Sequence, residues 1–209
     1  MYKRQGLYSF TGSAVTGGPE STSNKYLLRV GLGPDGRRHF LCWRDGASNA
    51  VACLWLGHQA TNGTGAISWH RVLTPSNLLG TVSQSAGTPT GAVIERGANA
   101  NGEYLRLADG TQICWKRLTL TAQDINTAYG SLYRSASLLS GNTLYAAAFL
   151  TGAPPAVTIT AHVADVSVFT VVGGTGDQNN TPATVYAVYT AALTNRTTHV
   201  NVCAVGRWF

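Results

Sequence analysis

Short apolar runs, each closed within a few residues by a Gly-, Asp-, Asn- or Pro-bearing turn, recur from Lys25 to the end of the chain. Such runs, rich in β-branched and aromatic residues, specify strands, and tight turns between them specify antiparallel hairpins. Tyr26 to Leu32, His39 to Trp43, Val51 to Leu56 and Ala66 to Leu73 form one series, with Pro34-Asp35-Gly36 and Asp45-Gly46 as turns. Tyr104 to Leu107 and Gln112 to Leu120 flank Asp109-Gly110. Leu144 to Leu150, Ala156 to Ala164, Val166 to Val172, Thr184 to Leu193 and His199 to Arg207 form a further series, with Gly173 to Asp177 as a turn. Charged residues are only 11% of the chain, less than half the usual share of about 25%. Water-exposed helices carry Glu and Lys on their outer faces, whereas Gly, Thr, Ala, Ser and Asn suit close-packed strands and turns. The expected fold class is therefore all-β.

One helix signal interrupts this pattern. Thr121-Ala122-Gln123-Asp124 has the form of a capping box, with Ile125 and Ala128 as the buried side and Gly130 as the stop. It predicts a helix of about two turns. Beyond it, Val157, Ile159, Ala161 and Val163 alternate with Thr158, Thr160 and His162, the pattern of a strand with one wet face. The strand from Thr184 is apolar on both sides and is expected to be central. Together these runs predict an antiparallel sandwich of about six strands at the carboxy-terminal end.

The residues up to about Asn24 are Gly-, Ser- and Thr-rich, with aromatics at Tyr2, Tyr8 and Phe10. They read either as a disordered tail or as an arm that orders against a partner. From Thr74 to Asn101 only Ala92-Val93-Ile94 is apolar, which marks a connection. The division expected is an arm over 1–24, a β meander domain over 25–73, a connecting module with a hairpin over 74–120, and the sandwich over 121–209. Tyr26 to Trp43 and Tyr104 to Trp115 echo each other around Asp-Gly turns. The echo is either a duplicated hairpin or chance similarity.

Charge and motifs narrow the chemistry. The net charge is +6, and after Ser135 the only charged side chains are Asp165, Asp177, Arg196 and Arg207, so the excess lies before them. Arg37-Arg38 and Lys116-Arg117 are isolated pairs, which argues against nucleic-acid binding. Cys42, Cys53, Cys114 and Cys203 are too widely spaced for a zinc or thiol-redox signature. Free thiols are expected, with two disulfides as the extracellular alternative. Met1 to Gln5 begins basic with no apolar run behind it, neither a signal peptide nor a membrane span. P-loop, dinucleotide, zinc-protease and nucleophile-elbow motifs are absent, so no catalytic residue, metal or cofactor is assigned. Asp165 and Asp177 are the carboxylates beyond Ser135, and turn placement accounts for both. His58 with His70, or His162 with His199, lack H-x-H spacing or a partner carboxylate and read as surface or strand-pair histidines.

Two segments carry a resemblance. Leu78-Leu79-Gly80-Thr81-Val82-Ser83-Gln84-Ser85, continuing through Thr88 to Gly97, Asn99 to Tyr104 and Ala108 to Trp115, resembles the stereotyped module of tail-fibre and tail-spike proteins of bacteriophages and phage-like particles. Phe149 with Pro154-Pro155 and Val157, and the closing Ala204 to Phe209, are similar to the end domain of the same fibres, a six-stranded sandwich related to the H-type lectins. Those lectins are sugar-binding trimers or hexamers. None of their sugar-contacting residues is carried over here.

The resemblance implies a virion fibre or spike subunit, assembled in the host cytoplasm, that binds a host surface glycan or protein without a cofactor. A homotrimer is expected, with Leu118, Leu120, Leu138 and Leu139 as candidate seam residues short of partners within the chain. Tyr2, Lys3, Arg4, Tyr8 and Phe10 are the candidate virion anchors. Asp177, Gln178, Asn179 and Asn180, together with Arg196 and His199, are the candidate receptor contacts, on two turns expected to lie side by side. The rival readings are a purely structural virion decoration or connector and, third, a glycan-depolymerising spike.

Overall fold

The computed structural model describes residues 6–11, 25–32, 37–44, 54–59, 66–139, 143–182 and 184–209. The fold is all-β with antiparallel sheets, in two compact units, Met1–Leu78 and Leu79–Phe209.

In the first unit, β1 (Gly6–Thr11), β2 (Lys25–Leu32), β3 (Arg38–Arg44), β4 (Leu54–Gln59) and β5 (Ile67–Arg71) pair in chain order, each with the next. Alternation decides the faces. Tyr26, Leu28 and Val30 are buried, while Arg29 between them is exposed. Register carries the same face across the sheet, with Leu28 opposite Cys42 and Cys42 opposite Trp55. Tyr26 meets Trp55 edge-on at 5.7 Å. Trp69 lies over Gly57, where an added Cβ would stand 2.7 Å from the indole. Bare backbone is what lets that ring close the core. A single helical turn, α1 (Pro75–Leu78), follows.

Where a disordered tail or a partner-ordered arm was expected, residues 6–11 form β1 in this unit's own sheet. Six of its residues pair with β2, and Tyr8 packs against the Tyr26 cluster. With only Leu7, Tyr8 and Phe10 as large apolar residues in a six-residue run, the strand signal is weak by itself; the open edge of β2 supplies the partner.

The second unit opens with a two-residue hairpin, β6 (Gln84–Ser85) and β7 (Thr88–Pro89), turned through Ala86 and Gly87 at φ of 48° and 82°. Positive φ at both positions matches the twist of a tight hairpin. β8 (Ile94–Asn99), β9 (Gly102–Leu107) and the first part of β10 (Thr111–Tyr129) form a meander. β11 (Leu132–Ser135), β12 (Ala156–Val163), β13 (Phe169–Gly173), β14 (Thr184–Tyr189) and β15 (Leu193–Arg207) complete a sheet in the order β12-β15-β10-β11-β14-β13. Strands far apart on that path share one core: Ile159, Ala161 and Val163 of β12 with Val185 and Ala187 of β14.

The expected helix over 121–130 is absent; those residues lie in β10 and its turn. Ala122 takes φ 54° and Asn195 takes φ 53°, and the register slips once at each, on opposite strands. The Asp124 carboxylate accepts the Asn195 N–H at 2.8 Å, a bond to a distant strand where a capping box would bond locally. Paired bulges let the long β10–β15 ribbon bend. No boundary falls at residue 120, which sits inside β10. The expected strand over 144–150 is instead irregular, held by Tyr145 N–H to Asn179 O, Phe149 N–H to Gln178 O and Leu150 N–H to Arg207 O.

The two echoing hairpins differ in register: Cys42 stands opposite Leu28, whereas Cys114 stands opposite Tyr104, the counterpart of Tyr26. The proposed leucine seam is also corrected. Leu138 and Leu139 are buried within the unit, and Leu118 and Leu120 pack on the same core. Sequence neighbours gave no sign of partners that arrive from β12, β14 and β15.

Candidate binding site

The candidate receptor residues do not gather at one place. β14 pairs with β11 and β13, not with β15. The loop over 174–182 precedes β14, which begins at Thr184, and Arg196 lies beyond the far end of β14 on β15. Six residues of strand separate the two ends, about 20 Å. Arg196 itself is engaged by Asp165 from the β12–β13 turn, Nη1 to Oδ2 at 2.7 Å. Residues 195–199, expected as a turn, are strand. Asp165 and Asp177 therefore stand at opposite ends as well, outside the roughly 5 to 9.5 Å that a glycan-cleaving pair requires.

Asp177 builds its own loop. Its Oδ1 accepts the N–H of Asn179 at 2.6 Å and of Asn180 at 2.7 Å, and the Asn180 side-chain amide donates to the same carboxylate. These donors, the Asn179 N–H first, hold the carboxyl below the usual carboxylate range. Asp177 N–H returns to Asn180 O at 3.0 Å and closes the turn. Asn179 is exposed and Gln178 half-buried. Their backbone carbonyls bind the 143–149 segment, Asn179 O accepting the Tyr145 N–H and Gln178 O the Phe149 N–H.

Beside the loop lies a shallow depression lined by Asn101, Trp115, Lys116, Leu144, Tyr145 and Thr181. Leu144 bridges to Asn180, so loop and depression share a wall. Tyr145 Oη and Thr181 Oγ1 are buried there without hydrogen-bond partners. The Tyr145 phenol is pushed up to about 12, first by burial and then by the Asp177 charge. Sequence reasoning missed Lys116 and Tyr145 as neighbours of this loop, because only the covering 143–150 segment brings them there.

Trp115 is half-buried on the outward face of β10, with the Arg96 guanidinium 5.7 Å above its ring and Arg96 bonded to Glu103 at 3.0 Å. His199 stands in mid-strand, directly opposite His162. Among the candidate anchors, Tyr2, Lys3 and Arg4 lie outside the described residues, Tyr8 packs on the first unit's core, and Phe10 holds the register position opposite Tyr26.

Of the cysteines, Cys42 is buried in the first unit's core, Cys114 is a buried free thiol and Cys203 an exposed one; Cys53 lies outside the described residues. Among the described residues no group of three or more His, Cys, Asp or Glu forms a metal-holding cluster, and no helix is long and apolar enough to cross a membrane.

The fold and this surface define an all-β protein of two antiparallel units with a turn-built polar loop at one end of the second. Comparison of the chain with protein-family models, curated proteins and solved structures finds no match.

Proposed function

We propose that the chain is a subunit of a phage-type tail fibre or spike that attaches the particle to the host surface, by binding an envelope glycan through the end of its second unit. The observation that carries this reading is the interlocking of the two segments that resemble fibre proteins. Thr111, Gln112, Ile113 and Cys114 pair with Arg207, Gly206, Val205 and Ala204. Trp208 then donates its indole N–H to Leu107 O at 2.9 Å and its backbone N–H to Gly110 O at 3.0 Å. The module and the chain end are thus one body, as a rigid terminal binding domain needs.

Gln178 and Asn179, on the frame closed by Asp177, are the receptor contacts under this reading. Amides there match sugar hydroxyls as both donors and acceptors. The assembly is a homotrimer whose copies meet through exposed apolar residues such as Phe169 and Tyr129, and repetition of a weak site raises avidity by about 10² to 10⁴. The basic, aromatic amino-terminal residues Tyr2, Lys3 and Arg4 seat the subunit on the virion.

Two measurements test the reading together. Gold-labelled antibody to this chain should mark the distal tail of particles, and the purified protein should compete with particles for adsorption to host cells. Labelling of the head, or labelling without competition, would make the chain a structural virion protein; release of reducing sugar from host envelope would make it a depolymerase.

A further inference from the structure

His162 of β12 and His199 of β15 are register partners on an antiparallel ladder, with ring centres 5.5 Å apart and planes at 45°. Thr160 and Asn201 pair one row along on the same side, while Ala161, Val163, Val200 and Val202 enter the core. The histidines therefore project from the outer face. His162 is exposed and His199 half-buried. His199 Nδ1 lies 3.1 Å from the hydroxyl of Thr119, its register partner on β10.

We propose that His162 and His199 form a two-histidine site for a divalent transition-metal ion of the zinc, nickel and copper class. A tetrahedral ion with metal–nitrogen bonds of 2.0 to 2.1 Å holds the centres of its imidazoles about 5 Å apart. The observed spacing is a few tenths of an ångström from that. Three hydrogen-bonded strands fix the backbone beneath both rings, so binding orders side-chain torsions alone. Thr119 supplies the outer contact that metal-bound histidines characteristically make: an Nδ1–H donated to its hydroxyl leaves the Nε2 lone pair for the ion. The row contains no carboxylate, and neutral imidazole favours these ions over magnesium or calcium. Positions left open on the ion are filled by water or by an oxygen ligand. This inference stands apart from the attachment reading, because the His162 row lies on β12, β15 and β10 and uses none of the loop residues.

Titration of the full chain with zinc chloride and with nickel chloride, followed by calorimetry and by the imidazole NMR signals, tests it. Zinc should shift the ring signals of His162 and His199 together, and magnesium should leave them unmoved. His162→Ala or His199→Ala should weaken that event at least tenfold, and Thr119→Val should weaken it roughly tenfold as a positioning change. His39 and His58 are also register partners, on the first unit; His39→Ala with His58→Ala should leave the His162 and His199 shifts in place. Ring signals that stay still at millimolar zinc, or an unchanged shift of the remaining ring in a folded single variant, would overturn the proposal. The wild-type NMR result decides alone should a variant fail to fold.

Discussion

The hydroxyl of Thr170 on β13 holds both backbone groups of Ala161 on β12: Oγ1 accepts the Ala161 N–H at 2.8 Å and the hydroxyl donates to the Ala161 carbonyl at 3.2 Å. A side chain does here what a ladder partner would do, and it joins the two ends of the six-strand path. Ala161 is buried. Thr170→Val keeps the shape and strands both groups, and it should cost roughly 1 to 3 kcal/mol, whereas Thr170→Ser should cost less. Denaturant unfolding of the second unit in the three proteins measures the difference.

Gln112 is fully buried and pins the irregular segment, with Nε2 donating to Ala147 O at 2.9 Å and Ala148 O at 3.1 Å while Oε1 accepts Arg106 Nε at 2.7 Å. Gln112→Leu leaves these partners unsatisfied and should destabilise the second unit by roughly 2 to 4 kcal/mol. Hydrogen exchange should show the loss first over 143–150, since those residues have few other backbone ties.

Removal of residues 1–11 should destabilise the first unit, because it bares the edge of β2 and the Tyr26 face that Tyr8 covers. Tyr8→Ala alone should cost about 1 to 2 kcal/mol for a partly buried aromatic. The fluorescence of Trp43, Trp55 and Trp69 on unfolding checks both. Attachment is tested separately by Lys3→Ala with Arg4→Ala, which spares β1 and should lower incorporation into particles.

Burial pushes the Cys114 thiol up, against weaker opposing bonds from Ala147 and Gln112. Less thiolate at neutral pH and an exposure of only 2% mean slow alkylation. Cys203, exposed on β15, should be labelled by maleimide in the native protein while Cys114 reacts only on unfolding. Peptide mapping by mass spectrometry reads the two sites independently, and equal rates would contradict the buried placement.

Asp177 and Arg196 should separate as single variants. Asp177→Ala opens the turn that orients Gln178 and Asn179 and should reduce adsorption severalfold with a small drop in Tm; Arg196→Ala, at the other end of the unit, should leave adsorption unchanged. Because the folded Asp177 carboxyl lies below its ordinary value, its contribution is present above the ordinary carboxylate range and is lost as pH falls through the lowered value. Amide signals of Asn179 and Asn180 should therefore hold through mild acid and shift only below that range.

Period-two alternation made β12 legible, since burial of one sheet face dictates residue type at every second position without regard to the partner, while β2 and β3 were legible as apolar runs closed by turns. Val157 to Val163 could be sorted into core and solvent sides from residue type alone. Low charge and frequent turns likewise settled the all-β class. Pairing partners were another matter, because an antiparallel ladder joins residues that no local window contains. The capping-box letters at Thr121 to Asp124 became a bulged strand once β15 offered a ladder and Asn195 an N–H for Asp124. Leu138 and Leu139 looked unpartnered until β14 closed over them. Strand order likewise put Asp177 and Arg196 at opposite ends of β14 and set His162 against His199, two residues whose spacing in the chain says nothing of contact. Side-chain period is a local property of the backbone and is written into the sequence. Strand adjacency is a property of the whole buried surface, and only the closed core selects it.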